Sequence, residues 1–323
     1  MDIDAPSLGR RLADPDATVR RLAVMDLPYS DEEDTVALLL PCLADADALV
    51  RVEAIRGLEG IEEPQVVQAL APMLLDADAA VRKTAGEVLA ELKETASAAP
   101  LLPLLTAGSP EVRALAFHAV RALRSPLAFE PAMRSLRDAD AAVRREAVGV
   151  LGYLKDAAAI GDLAEVAAND PDAEVRRIAV GALGYASSVS VLPALTRALN
   201  DGSWMVRDEA AQTIGKLRLA LAIPDLVKAM HDDYWQVRVK AARSLGLLKA
   251  EAGLPSLVES LTHSISNLRK ESAIALGEIG DTRAIAPLEA ALADPDPDVR
   301  KLARLALTAI GMAQQARAQG GQP

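Results

Sequence analysis

Few residues of this sequence have both the type and the spacing to do chemistry. His118, His231 and His263 share no register and none of the spacings of a metal-ligand set, and no His-Glu dipeptide occurs. Neither a metal centre nor a bound cofactor is therefore expected. Cys42, in the apolar stretch LLLPCLAD, reads as a small core residue rather than a nucleophile. A lone cysteine also excludes an intramolecular disulfide framework and a cysteine zinc cluster. Serine and aspartate are too abundant for any one pair to argue a triad. What remains is aromatic. Trp204 and Trp235 are both tryptophans of a chain that is only 2% aromatic, and each stands just ahead of a Val-Arg pair, with one residue between. Large rings with a polar edge, repeated in one local context, suit recognition better than turnover.

The Val-Arg pair organises the whole chain. Its first residue falls at Val19, Val50, Val81, Val112, Val143, Val175, Val206, Val237, Leu268 and Val299. The spacing is thirty-one positions throughout, except for one interval of thirty-two between Val143 and Val175. Each repeat reads as two helices. In the second helix the Val is followed by a small residue four positions on, an aliphatic one eight on and usually Leu or Ile eleven on. Those offsets trace one stripe at helical period. The small residue marks a close helix crossing. A Gly nine positions on is expected to loosen or stop the last turn. Pro marks the opening turn of the first helix, as in LPALTRAL and IPDLVKAM. An Asp five positions before the Val, as at Asp201 and Asp232, is expected to cap the second helix.

A formal net charge of −11 argues against a general nucleic-acid binder, which should be basic. No run of about 18 apolar residues exists to insert in a membrane, and the N-terminal stretch lacks an apolar signal core. The expectation is a cytoplasmic protein.

The pattern LxDxDxxVRxxAxxALGxLGD resembles the HEAT-like repeat of the phycobilin-lyase type over essentially residues 4–311. The resemblance implies an all-α, right-handed α-solenoid of about ten two-helix repeats, a single domain over 1–311, with 312–323 as a flexible tail. It also implies that the second helices line the concave side. The recurring Arg, six positions after an Asp, resembles the family's Asp–Arg ladder between adjacent repeats. Ala107 and His263 replace that Asp in the fourth and ninth repeats, so the ladder should weaken there.

Residues facing away from the stripe are the candidate site. Two positions before the Val, the column reads mostly Ala, with Trp204 and Trp235 on neighbouring repeats. Two positions after it, Arg21, Lys83, Arg145, Arg177, Lys270 and Lys301 form a basic column against one acid, Asp208. Glu53, Glu146, Glu209 and Glu271 follow one position later and could neutralise part of it. At six after, Gly149 and Gly181 should leave the face bare, while Gln212 and Arg243 flank the tryptophans. The expected surface comprises Arg145, Arg177, Trp204, Met205, Asp208, Gln212, Tyr234, Trp235 and Arg243. Tyr153 and Tyr185 share a further column near the helix end, where a ring is often structural.

These residues point to a non-enzymatic protein-binding scaffold, adaptor or assembly factor. Aromatic anchors would hold a partner protein, such as a larger enzyme complex, and the basic column would orient an acidic segment. The alternative drawn from the resemblance is a tetrapyrrole-binding protein or lyase, with Arg145 and Arg177 on propionates and the aromatic residues on the rings. Repeat-built deoxyhypusine hydroxylases are similar in architecture, but they need the His-Glu pairs this chain lacks.

Overall fold

A computed structural model describes residues 8–30, 34–186 and 189–320. Every regular element among them is helical. The chain divides into two compact units, Met1–Leu154 and Lys155–Pro323. In the first, the second helices of the repeats are Ala17–Asp26, Ala48–Gly57, Ala79–Ala90, Pro110–Arg121 and Ala141–Leu154. In the other they are Ala173–Ala182, Trp204–Lys216, Trp235–Leu247, Ser266–Ile279 and Pro297–Gly320. Within each unit these helices pack on their neighbours and on the first helices of the repeats, most of which are shorter. The final helix runs on to Gly320, through most of the segment expected to be a flexible tail. No described helix is long and apolar enough to cross a membrane.

The stripe read from the sequence is the core. Val206, Ala210 and Ile214, and likewise Val237, Ala241 and Leu245, are 0% exposed. The small column is alanine except at Ser272, whose Oγ is wholly buried and has no hydrogen-bond partner. An unsatisfied buried hydroxyl is costly. Ser272→Ala should therefore raise stability by about 1 kcal/mol in chemical denaturation. A loss of stability would mean that the hydroxyl is bonded in solution.

Two expectations need correction. The Asp five before the Val does not cap its helix. The cap is the residue two further on: Asp16, Asp47, Asp78 and Asp172 accept amide hydrogens from the first turn. The earlier Asp instead accepts the amide of the cap residue, as Asp45 does from Asp47 at 2.8 Å. Its carboxylate also takes the Arg of the preceding repeat. Arg20–Asp45, Arg51–Asp76 and Arg113–Asp138 in the first unit pair in forks at 2.7–2.9 Å. Arg176–Asp201, Arg207–Asp232 and Arg269–Asp294 do the same in the second, at 2.6–2.9 Å. The third guanidinium nitrogen donates to carbonyls of the Arg's own loop, as Arg207 does to Asp201 at 2.8 Å. Where Asp is missing, Arg82 turns to Glu111 at 2.9 Å and leaves its Nε buried without an acceptor. Arg238 meets His263 at 3.4 Å. The rungs weaken at those two places, as their sequence departures imply.

The second correction concerns the glycines nine after the Val. Gly215 and Gly246 lie inside the helix ends, and they mark where the next helix crosses rather than where their own stops. A Cβ on Gly246 would come within 2.9 Å of the Ala275 Cα, and one on Gly277 within 2.8 Å of the Ala306 Cα. Close approach of two backbones requires a residue without a side chain.

Candidate functional site

The second unit carries most of the expected surface. Trp204 and Trp235 are the first residues of their helices, and both are half-buried. The residues ahead of them, Ser203 and Tyr234, occupy the cap position but make no side-chain cap. An Asp there is worth about 1 kcal/mol, and these two repeats forgo it. Tyr234 uses the position differently. Its ring stacks on Trp204, with centroids 5.5 Å apart and planes at 11°. The Arg207 guanidinium, held by Asp232, lies 5.7 Å from the Tyr234 centroid. Trp204 thus stacks on the tyrosine of the following repeat, the residue just ahead of Trp235. Tyr234 remains 46% exposed and Met205 beside the stack 40%, so the cluster presents apolar surface to water.

The charged residues behave unlike a free basic column. Arg177 donates to Glu174 at 2.6 and 2.8 Å and reaches Glu209 at 3.5 Å. Arg243 forks onto Glu271 at 2.9 and 3.1 Å. These carboxylates, led by their hydrogen bonds, hold both guanidiniums more firmly protonated than usual. In the first unit Arg21 takes Glu53 at 2.9 Å, and the Nε of Arg145 lies 3.5 Å from Glu146. The column expected to orient an acidic segment is largely satisfied by the chain's own glutamates. Gly149 and Gly181 do not leave the face bare either. Arg121 lies over the first and Glu209 over the second, each so close that a Cβ would press on it.

Asp208 is half-buried, and burial pushes its carboxyl above the usual range against the pull of Lys240. Lys240 donates to Gln212 at 2.5 Å, so that Asp208 and Gln212, two expected site residues, share one lysine from the neighbouring helix. Sequence reasoning passed over Lys240. The signal was available, because it stands in the column where four repeats place Glu.

The chain belongs to the HEAT-repeat family, whose pattern matches residues 5–90, 72–152, 98–180, 160–238 and 223–308. Nothing in the match singles out the phycobilin-lyase type. Among solved structures, an engineered protein is similar at 22% identity and a TM-score of 0.52, covering 94% of this chain and 98% of its own. The Escherichia coli protein YibA is similar at 19% identity and 0.53, covering 92% and 98%. Importin beta reaches 0.64 at 14% identity, and there this chain spans 50% of the larger protein. At such identities the likeness is one of fold. No curated protein matches the chain in sequence.

Proposed function

We propose that this protein is a non-enzymatic scaffold that holds a partner protein, with the Trp204–Tyr234 stack and Met205 as the anchor. The observation that supports the reading most is the half-exposed stack of Trp204 and Tyr234, with Met205 exposed beside it. Rigid aromatic anchors carry much of the energy of protein interfaces. HEAT-repeat architecture accords with such a role, and importin beta, so named, shares the fold. The pairing of Arg177 and Arg243 with glutamates makes charge a minor contributor, so the grip should depend little on salt. It also removes an obvious propionate partner from the tetrapyrrole alternative, which no other observation favours.

The test is a pulldown from native lysate beside a Trp204→Ala/Tyr234→Ala variant checked for helicity and melting. A protein retained by the parent should be lost by the folded variant, with a weakening of about 2 kcal/mol or more per anchor lost. Equal retention by both would move the binding surface elsewhere. A variant that melts early would make the stack a packing feature.

A further inference from the structure

Tyr153, in the first unit, belongs to a cluster that the aromatic stack does not use. The guanidiniums of Arg121 and Arg124 lie 5.8 and 6.0 Å from its ring centroid. Arg121 also donates to Glu146 Oε2 at 3.1 Å, the oxygen that His118 Nδ1 meets at 3.1 Å. Arg145 approaches the other oxygen at 3.5 Å. Two neighbouring second helices, Pro110–Arg121 and Ala141–Leu154, thus gather His118, Arg121 and Arg145 round one carboxylate, and the turn after the first helix adds Arg124 beside the Tyr153 ring.

The charge balance differs from the rest of the column. Arg21 and Arg243 each face a glutamate of the following repeat. Here the cluster holds three guanidiniums, Arg121 and Arg145 at Glu146 and Arg124 beside Tyr153, against one carboxylate, an excess of two positive charges before His118 is counted. Arg124 has no carboxylate partner among the described residues. That excess stands out in a chain of net charge −11. Gly149 serves the cluster directly. A Cβ there would lie 2.9 Å from the Arg121 Cδ, so its absence lets the arginine stem lie across the helix. Burial favours the neutral form of Glu146, but His118, Arg121 and Arg145 outweigh it and hold the carboxyl below its usual range. The central anion is therefore fixed. The side chains of His118 and Arg145 are 40% and 42% exposed and Tyr153 is 44% exposed, so the cluster is open to solvent.

We propose that this cluster binds a phosphate monoester carried on a peptide segment, phosphoserine or phosphothreonine. A phosphate of nearly two negative charges matches the two-charge excess, and guanidinium forks suit its oxygens. A single carboxylate would match only half of it. This site is separate from the Trp204–Tyr234 anchor and stands independently of it.

The test uses the full chain and a fluorescein-labelled alanine pentapeptide with a central phosphoserine, at low salt. It should bind about tenfold or more tighter than the same peptide with serine or glutamate, and inorganic phosphate should compete. Arg124→Gln and Arg145→Gln should each weaken binding about tenfold with unchanged melting, as loss of one charge-assisted contact does. Arg218→Gln, at the equivalent position three repeats on, should not. Equal binding of the serine or glutamate peptide overturns the proposal, as does an undiminished Arg124→Gln variant. Adenosine monophosphate competing better than free phosphoserine would also overturn it, because the ligand would then be a nucleotide.

Discussion

A valine at Gly215 should lower the unfolding free energy by about 3 kcal/mol, the upper end of what overpacking costs. Glycine inside a helix is ordinarily a weakness of about 1 kcal/mol relative to alanine, so the naive expectation is a gain. The neighbouring helix reverses it. A Cβ at Gly215 would lie 2.7 Å from the Ser244 Cβ and 2.9 Å from its Cα, and no rotamer change moves a backbone atom. Ser244 is itself 1% exposed, and its hydroxyl donates to the Ala211 carbonyl at 2.7 Å. Relief would require the two helices to part and to strip that bond. Gly161 is the matched control: it also lies in a helix, but open space surrounds its missing Cβ. Gly161→Ala should be neutral or mildly stabilising. Urea unfolding followed by far-UV circular dichroism separates the cases. A Gly215→Val protein as stable as the parent would mean that the helices do not approach as closely as described.

Arg207→Met should cost nearly as much, about 2–3 kcal/mol, because removing one partner of a fully buried ion pair costs about 3–5 kcal/mol. The side chains of Arg207 and Asp232 keep 14% and 10% of their exposure, so the lower figure applies. The change also unbinds the loop carbonyls of Asp201 and Gly202. The pair has a pH signature. Burial raises the Asp232 carboxyl, but the Arg207 bond and the Tyr234 amide more than reverse this and bring it below the usual carboxylate range. Asp45, Asp76, Asp138, Asp201 and Asp294 shift the same way. A carboxyl with a lower pKa folded than unfolded adds its full stability above the unfolded value, near 4. That stability is lost as pH falls through the folded value. Asp208 and Glu278, raised chiefly by burial, act in the opposite sense and offset part of this. The parent's stability should therefore fall steeply below about pH 4, and more gently in Arg207→Met. Identical slopes in the two proteins would show that the rung contributes nothing to acid sensitivity.

Much of the fold was legible because repetition turns one chain into ten aligned observations. The Val, Ala and Leu columns are the core as read, and the Arg six after each Asp is the rung. What escaped the reading shares one cause. A helical wheel assigns a side chain to the inside or the outside, whereas a residue between stacked repeats has a neighbour on each side. Gly215 and Gly246 looked like helix terminators because the crossing backbone belongs to the next repeat. The glutamate column could be named as a possible neutraliser, but which arginine reaches which glutamate could not, because Glu209 and Glu271 lie on the helix of the following repeat from Arg177 and Arg243. Trp204 was matched with Trp235 by column, although its contact comes from the residue just before that column. The cap displaced by two positions is subtler: Asp201 and Asp232 are of the right type near the right helix, but the rung claims their carboxylates.

The rungs also bear on how such a chain tolerates changes of length. Each joins residues 25 apart, which is less than one sequence period. Excising residues 177–207, one whole period, would set Arg176 the same 25 positions ahead of Asp232 as it now stands ahead of Asp201, leaving donor and acceptor in register. Excising one residue more or fewer would misplace every side chain across that joint. The chain is therefore divisible only in whole quanta. Gain or loss of a complete repeat would preserve the internal bonding, while a single-residue slip must be taken up within one repeat, as the one longer interval between Val143 and Val175 is by a first helix, Ile160–Asn169, longer than Leu192–Ala198 or Ile223–Ala229. Length becomes a variable that can change without redesign of the interior, and the surface features carried on individual repeats move with it as intact cassettes.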